Sequence, residues 1–137
     1  MPLNILIIDD DPHLLRLMTL ILKQGKHKVR TATNVPDAWK LLNEETPDII
    51  CCDLMMPDVN GLDFLLQRQK HPTIANVPVI VISGIGEKSW FEEAERLGAF
   101  SCLSKPFSAH KLMSEIDAAM MTVPKQVTST TAVSLSA

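Results

Sequence analysis

The run Ile49-Ile50-Cys51-Cys52 lies between Pro47 and Pro57 and ends on a carboxylate, Asp53. Four successive apolar residues are too few for a helix and leave no polar face. That is the pattern of a strand buried on both faces of a parallel sheet. In open sheets of that kind, sites form just outside the carboxyl ends of the strands. A lone aspartate there carries little weight, because turn residues and helix caps are often aspartate. Its meaning depends on what the rest of the chain places beside it.

Three other apolar runs end in a similar way. Leu3 to Ile8 closes on Asp9-Asp10-Asp11-Pro12, Val77 to Ile82 closes on Ser83-Gly84, and Ala99 to Ser104 closes on Lys105-Pro106-Phe107. A weaker strand over 26–32 carries alternating basic residues, as expected at a solvated sheet edge. Helical spacing fills the intervals. Asp11 is positioned to cap a helix with Pro12 in its first turn and Leu14, Leu15, Met18, Ile21 and Leu22 facing inward, ended by Gly25. Asn34 caps a second helix, with Ala38, Leu41 and Leu42 on its inner face. A third starts at Asn60 or Gly61 with Leu62, Leu65 and Leu66 inward, a fourth runs over 87–97, and Ser108 caps a fifth with Leu112, Ile116, Ala119 and Met120 inward. Trp90 and Phe91 are adjacent, so both cannot point into the core, and one is a candidate surface contact.

Strands alternating with helices imply an α/β fold: a doubly wound (βα)5 parallel sheet, with helices on both faces. Right-handed crossovers and the strand order 2-1-3-4-5 are the simplest arrangement. The domain is expected over 1–121, and the Ser/Thr-rich residues 122–137 form a tail or linker. At 137 residues with 46% hydrophobic and 21% charged content, the chain suffices for one domain with a sizeable core. A net charge of −3 and 4% aromatics argue against direct nucleic-acid binding. No run reaches membrane-spanning length and no signal peptide opens the chain. Three cysteines without metal or disulfide spacing fit reduced thiols in the cytoplasm.

In that topology the ends of strands one, three, four and five open onto one edge, so Asp9, Asp10, Asp53, Ser83 and Lys105 converge. Asp53 suits a carboxylate nucleophile. Asp10 with Asp53 offers hard oxygens to Mg²⁺, and Asp9 helps orient the ion or its water. Lys105 offers a cation to phosphate oxygens and Ser83 a hydroxyl. Taken singly each has a bland explanation: an acidic helix start, a solvated lysine, a strand-end cap. Their assembly at four strand ends does not.

The motifs Ile-Leu-Ile-Ile-Asp9-Asp10-Asp11-Pro, Asp53-Leu-Met-Met-Pro57-Asp-Val-Asn-Gly61, Val-Ile-Ser83-Gly84 and Lys105-Pro106-Phe107 resemble the receiver domain of two-component response regulators. The resemblance extends over roughly Leu3 to Met121. It implies that Asp53 accepts a phosphoryl group from the histidine of a sensor kinase or phosphotransfer protein. It further implies that Asp9, Asp10, Asp53 and the Met55 carbonyl hold Mg²⁺, that Ser83 and Lys105 bind phosphoryl oxygens, and that the Lys105–Pro106 peptide is cis. Output would pass to an effector domain or protein, or to a homodimer, through the fourth helix, fifth strand and fifth helix. The family usually has an aromatic residue where this chain has Cys102; alternation places Phe100 on the same face but further from the site. The resemblance further implies that Met55 and Ile85, both apolar, flank the approach of water to the acceptor.

Two other readings compete. A Mg²⁺-dependent phosphohydrolase with an aspartate nucleophile needs a second aspartate two residues on, where Met55 stands. An adaptor module that is not phosphorylated has no use for the acidic set. A dinucleotide-binding unit is excluded by the absence of a glycine-rich turn after the first strand.

Overall fold

A computed structural model of the chain describes residues 2–56, 60–84 and 88–122, the side chain of Lys88 excepted. Its strands are β1 (Asn4–Ile8), β2 (Lys28–Ala32), β3 (Ile49–Asp53), β4 (Val79–Ser83) and β5 (Ser101–Ser104). Its helices are α1 (Pro12–Gln24), α2 (Val35–Glu44), α3 (Gly61–Gln69), α4 (Lys88–Arg96) and α5 (Ala109–Thr122), with a short 3-10 turn at Ile74–Asn76. The strands form one parallel sheet in the order β2-β1-β3-β4-β5.

Side-chain alternation divides the core in two. Leu6, Ile8, Ile50, Cys52, Val79 and Val81 pack beneath α2, α3 and α4. Ile5, Ile7, Ile49, Cys51, Ile80 and Ile82 pack beneath α1 and α5. Strands covered on both sides need apolar residues at every position, which is why the run 49–52 lacks alternation.

Local chemistry sets the helix starts. The Asp11 carboxylate accepts from the amides of His13 and Leu14, and Asn34 Oδ1 accepts from Asp37. Asn60 Oδ1 accepts from Asp63, and Ser108 Oγ from Lys111. These satisfy amides that have no partner within the helix. At the end of α1 the left-handed residue is Lys26, at φ 67°, while Gly25 keeps φ −83°. The basic residues of β2 are more than a solvated edge: Arg30 donates to the carbonyls of Leu41 and Glu45 at the end of α2, and Lys28 pairs with Glu45.

Three side-chain expectations are corrected. In α3 the inward residues are Gly61, Phe64, Leu65 and Arg68, while Leu66 is exposed and Leu62 half-buried. Gly61 fixes that phase by pressing against the end of β3: a Cβ there would lie 2.5 Å from the Asp53 carbonyl oxygen. Trp90 and Phe91 are both half-buried against the same cluster, because each lies one turn from Ala94 and they straddle its inward line. Phe100 does not share a face with Cys102. It packs with the α1–α5 cluster and Cys102 with the opposite one, since Phe100 precedes β5 and is outside its alternation. Residues 57–59, 85–87 and 123–137 lie outside the described residues. With them go Pro57, Ile85, the start of the expected fourth helix and nearly all of the expected tail.

Candidate functional site

The register of the sheet brings the site together. Ile8 pairs with Cys52, so Asp9 leaves β1 beside Asp53 at the end of β3. Asp53 pairs with Ile82, which puts Ser83 one step further along β4. Ser83 pairs with Ser104, and the Lys105 amide donates to the Ser83 carbonyl at 2.9 Å. Four strand ends thus deliver two carboxylates, a hydroxyl and an ammonium to one edge. The chain continues from Lys105 through a cis peptide to Pro106.

Asp9 and Asp53 are buried, 2% and 5% exposed, while Asp10 lies exposed at the rim. Lys105 Nζ reaches between the two buried carboxylates, 3.2 Å from Asp9 Oδ2 and 3.5 Å from Asp53 Oδ2. Asp9 Oδ1 accepts from the Asp11 amide at 2.8 Å, and Asp53 Oδ1 from the Met55 amide at 3.3 Å. Each buried carboxylate therefore has one oxygen held by backbone and the other directed at the lysine. Burial pushes the Asp53 carboxyl above its usual range; Asp9 adds to this, and Lys105 with the Met55 amide offsets part of it. Burial pulls the Lys105 ammonium down, but Asp53 and Asp9 outweigh it and hold the group above its ordinary value.

Oxygens of Asp9, Asp10 and Asp53 lie within 4.8 Å of one another. Three carboxylate oxygens at that spacing suit a hard divalent cation, which would offset the repulsion from Asp9 that adds to burial in raising Asp53. The donor set contains no imidazole or thiolate that would favour a softer metal. Buried Ser83 adds its hydroxyl group to the edge. The Met55 side chain, two residues beyond Asp53 in sequence, is 45% exposed.

Sequence reasoning missed two contributors. The Asp11 amide fixes the Asp9 carboxylate, a role invisible in a residue assigned as a helix cap. Gly61 lets α3 approach the main chain of Asp53 and Leu54, with its own amide donating to the Leu54 carbonyl at 2.8 Å. The available signal was a glycine at the first helical position, where its freedom serves close approach and not a turn.

A flavodoxin-like sheet with an acidic cluster and a lysine at its carboxyl edge defines a class of phosphoacceptor switch. The chain belongs to the response regulator receiver domain family, whose match spans residues 5–117. It is 31% identical to protein PilH of Pseudomonas aeruginosa over 117 residues, which is 85% of this chain and 97% of that protein. It is 33% identical to the C4-dicarboxylate transport transcriptional regulatory protein DctD of the same species over 117 residues, again 85% of this chain but 25% of that protein. It is 35% identical to a CpxR homolog of Haemophilus influenzae, covering 84% of this chain and 49% of that one. The chain therefore spans a quarter to a half of the two transcriptional regulators and nearly all of PilH. Among solved structures, the receiver domain of NtrX from Brucella abortus superposes with a TM-score of 0.82 at 30% identity, over 87% of this chain and 99% of that one. The beryllofluoride-activated NtrC4 receiver domain dimer superposes at 0.80 with 28% identity, over 85% and 95%. Receiver domains are in general signalling modules, not enzymes. No helix among the described residues is long and apolar enough to cross a membrane.

Proposed function

We propose that Asp53 is the phosphoacceptor of this receiver domain. The observation that carries the assignment is its buried carboxylate, held at a strand end 3.5 Å from Lys105 Nζ and grouped with Asp9 and Asp10. An Asp53 oxygen attacks the phosphorus of a phosphohistidine on a sensor kinase or phosphotransfer protein. The P–N bond breaks, an acyl phosphate forms, and the imidazole regains a proton. Asp53 must be ionised to act, and Lys105 favours that form. Once the phosphoryl group is in place, Lys105 and Ser83 hold its oxygens. Asp9, Asp10, Asp53 and the Met55 carbonyl would hold Mg²⁺, which supplies positive charge to the phosphoryl oxygens. The activity belongs in the cytoplasm, in keeping with three free cysteines among the described residues. Output passes through α4, β5 and α5 to an effector domain, a separate partner or a second copy.

Incubation with a small acyl phosphate and Mg²⁺, followed by intact-protein mass spectrometry, tests the acceptor. The parent is expected to carry a single phosphate adduct and Asp53→Asn none. An adduct of equal yield in Asp53→Asn would overturn the assignment. Loss of adduct on chelation of Mg²⁺, restored by Mg²⁺ and weakened in Asp10→Ala, is expected for the metal site.

A further inference from the structure

The inward stripe of α3 ends on an arginine. Arg68 occupies the place one turn beyond Leu65 and is 6% exposed. Its Nε and Nη2 both donate to the carbonyl of Val77, at 3.1 and 2.7 Å. Among the described residues no carboxylate lies within ion-pair distance of it. A buried cation without an anion is costly, and an apolar side chain of similar length would fill the place at less expense. What only the guanidinium supplies is a two-pronged hold on one carbonyl. Val77 is the entry to β4, and its own amide donates to Ile74.

The same helix end holds a second point. Gln69 Nε2 donates to the Leu97 carbonyl at 2.6 Å, at the exit of α4. The next residue, Gly98, has φ +107°, and a Cβ there would lie 3.1 Å from Arg68 Nη1. Glycine thus lets the turn adopt this conformation and lie against the guanidinium. The amides of Leu97, Gly98, Ala99 and Phe100 are all hydrogen-bonded, the last to Val79 of β4. Towards its other end, among the described residues, α4 is tied by side-chain packing of Trp90 and Phe91 on the core and by the weak contact of Cys102 Sγ with the Phe91 carbonyl, 3.6 Å.

We propose that Arg68 and Gln69 make the Leu97–Gly98 turn a fixed pivot, clamping the exit of α4 to the entry of β4, so that α4 moves by swinging from its Ser83 end. This rests on the switching role assigned above, since it specifies which end of α4 responds. Arg68 is a positioning residue and touches no reacting atom. A helix pinned at one end transmits a small change near Ser83 as a rotation, not as a shift of the whole element.

Hydrogen exchange by mass spectrometry on the full chain tests this, with and without the small acyl phosphate and Mg²⁺. In the unphosphorylated protein, Arg68→Met is expected to exchange roughly tenfold faster over 97–100 than the parent, with 4–8 unchanged. Arg68→Lys, which keeps a donor, is expected to exchange more slowly than Arg68→Met. In the phosphorylated parent, changes are expected over 88–92 and not over 97–100; in phosphorylated Arg68→Met they reach 97–100. Unaltered exchange over 97–100 in Arg68→Met, or equal phosphorylation-linked changes at both ends of α4 in the parent, would overturn the pivot. If Arg68→Met does not fold, Gln69→Ala removes the exposed half of the clamp, and several-fold faster exchange over 97–100 is then expected; none would count against the proposal. Intact mass of the same samples reports the adduct, so a failure to phosphorylate contradicts the receiver assignment while the unphosphorylated comparison still decides the clamp.

Discussion

Asp53 is costly to ionise where it stands. Its carboxyl is raised above the range it has in the unfolded chain, first by burial and then by Asp9. A group raised on folding contributes stability that is full below the unfolded carboxylate range and lost as pH rises through the folded value. At neutral pH the penalty is therefore in force. In Mg²⁺-free solution Asp53→Asn is expected to be more stable than the parent by on the order of 1 kcal/mol, and the gap should narrow as pH falls towards 4. Urea denaturation at the two pH values measures it. A variant less stable than the parent at neutral pH would show that Lys105 outweighs burial.

Met55 is expected to affect how long a phosphoryl group on Asp53 lasts. Its side chain is 45% exposed, two residues beyond the acceptor, and carries no group able to orient a water. Orientation of the attacking water is much of what accelerates loss of a phosphoryl group. Met55→Asn is expected to shorten the lifetime of the phosphorylated state by roughly tenfold, in line with one added transition-state hydrogen bond. Loss of the mass adduct over time reports it, and an unchanged decay would mean the flank is inert.

At the scale of elements, α3 presses on the end of β3 that carries Asp53, the proposed acceptor. Gly61→Ala would set a methyl 2.5 Å from the Asp53 carbonyl oxygen and 2.9 Å from Leu54 Cα, both main-chain atoms with little room to yield. The expected cost is about 2 kcal/mol, with a lower phosphate yield as the strand end shifts. Thermal denaturation and adduct yield on the same samples check both. The strands were legible because the buried runs of β1, β3 and β4 are continuous and end in polar residues. The inner face of α3 was not. A polar Arg68 stands at an inward position and an apolar Leu66 at an outward one, so hydrophobic spacing placed Leu65 correctly but turned the rest of the face towards Leu66. Arg68 is admitted there by the Val77 carbonyl, a partner that no local pattern reveals. Phe100 was misplaced for a related reason: period-two alternation holds inside a strand, and Phe100 precedes β5.

For the whole molecule, topology turns scattered motifs into a site. Asp9, Asp53, Ser83 and Lys105 are far apart in sequence, and parallel register alone makes them neighbours. That much followed from counting strands and helices. The held orientation of each carboxylate, through the amides of Asp11 and Met55, needed coordinates. The central claim is that the phosphoryl group resides on Asp53, and chemical trapping of the acyl phosphate tests it most directly. Borohydride reduces an acyl phosphate to an alcohol and leaves ordinary carboxylates intact. After phosphorylation, reduction and proteolysis, homoserine is expected at position 53, with Asp9 and Asp10 unchanged. Homoserine at position 9 or 10, or none in a sample that carries the adduct, would contradict the account.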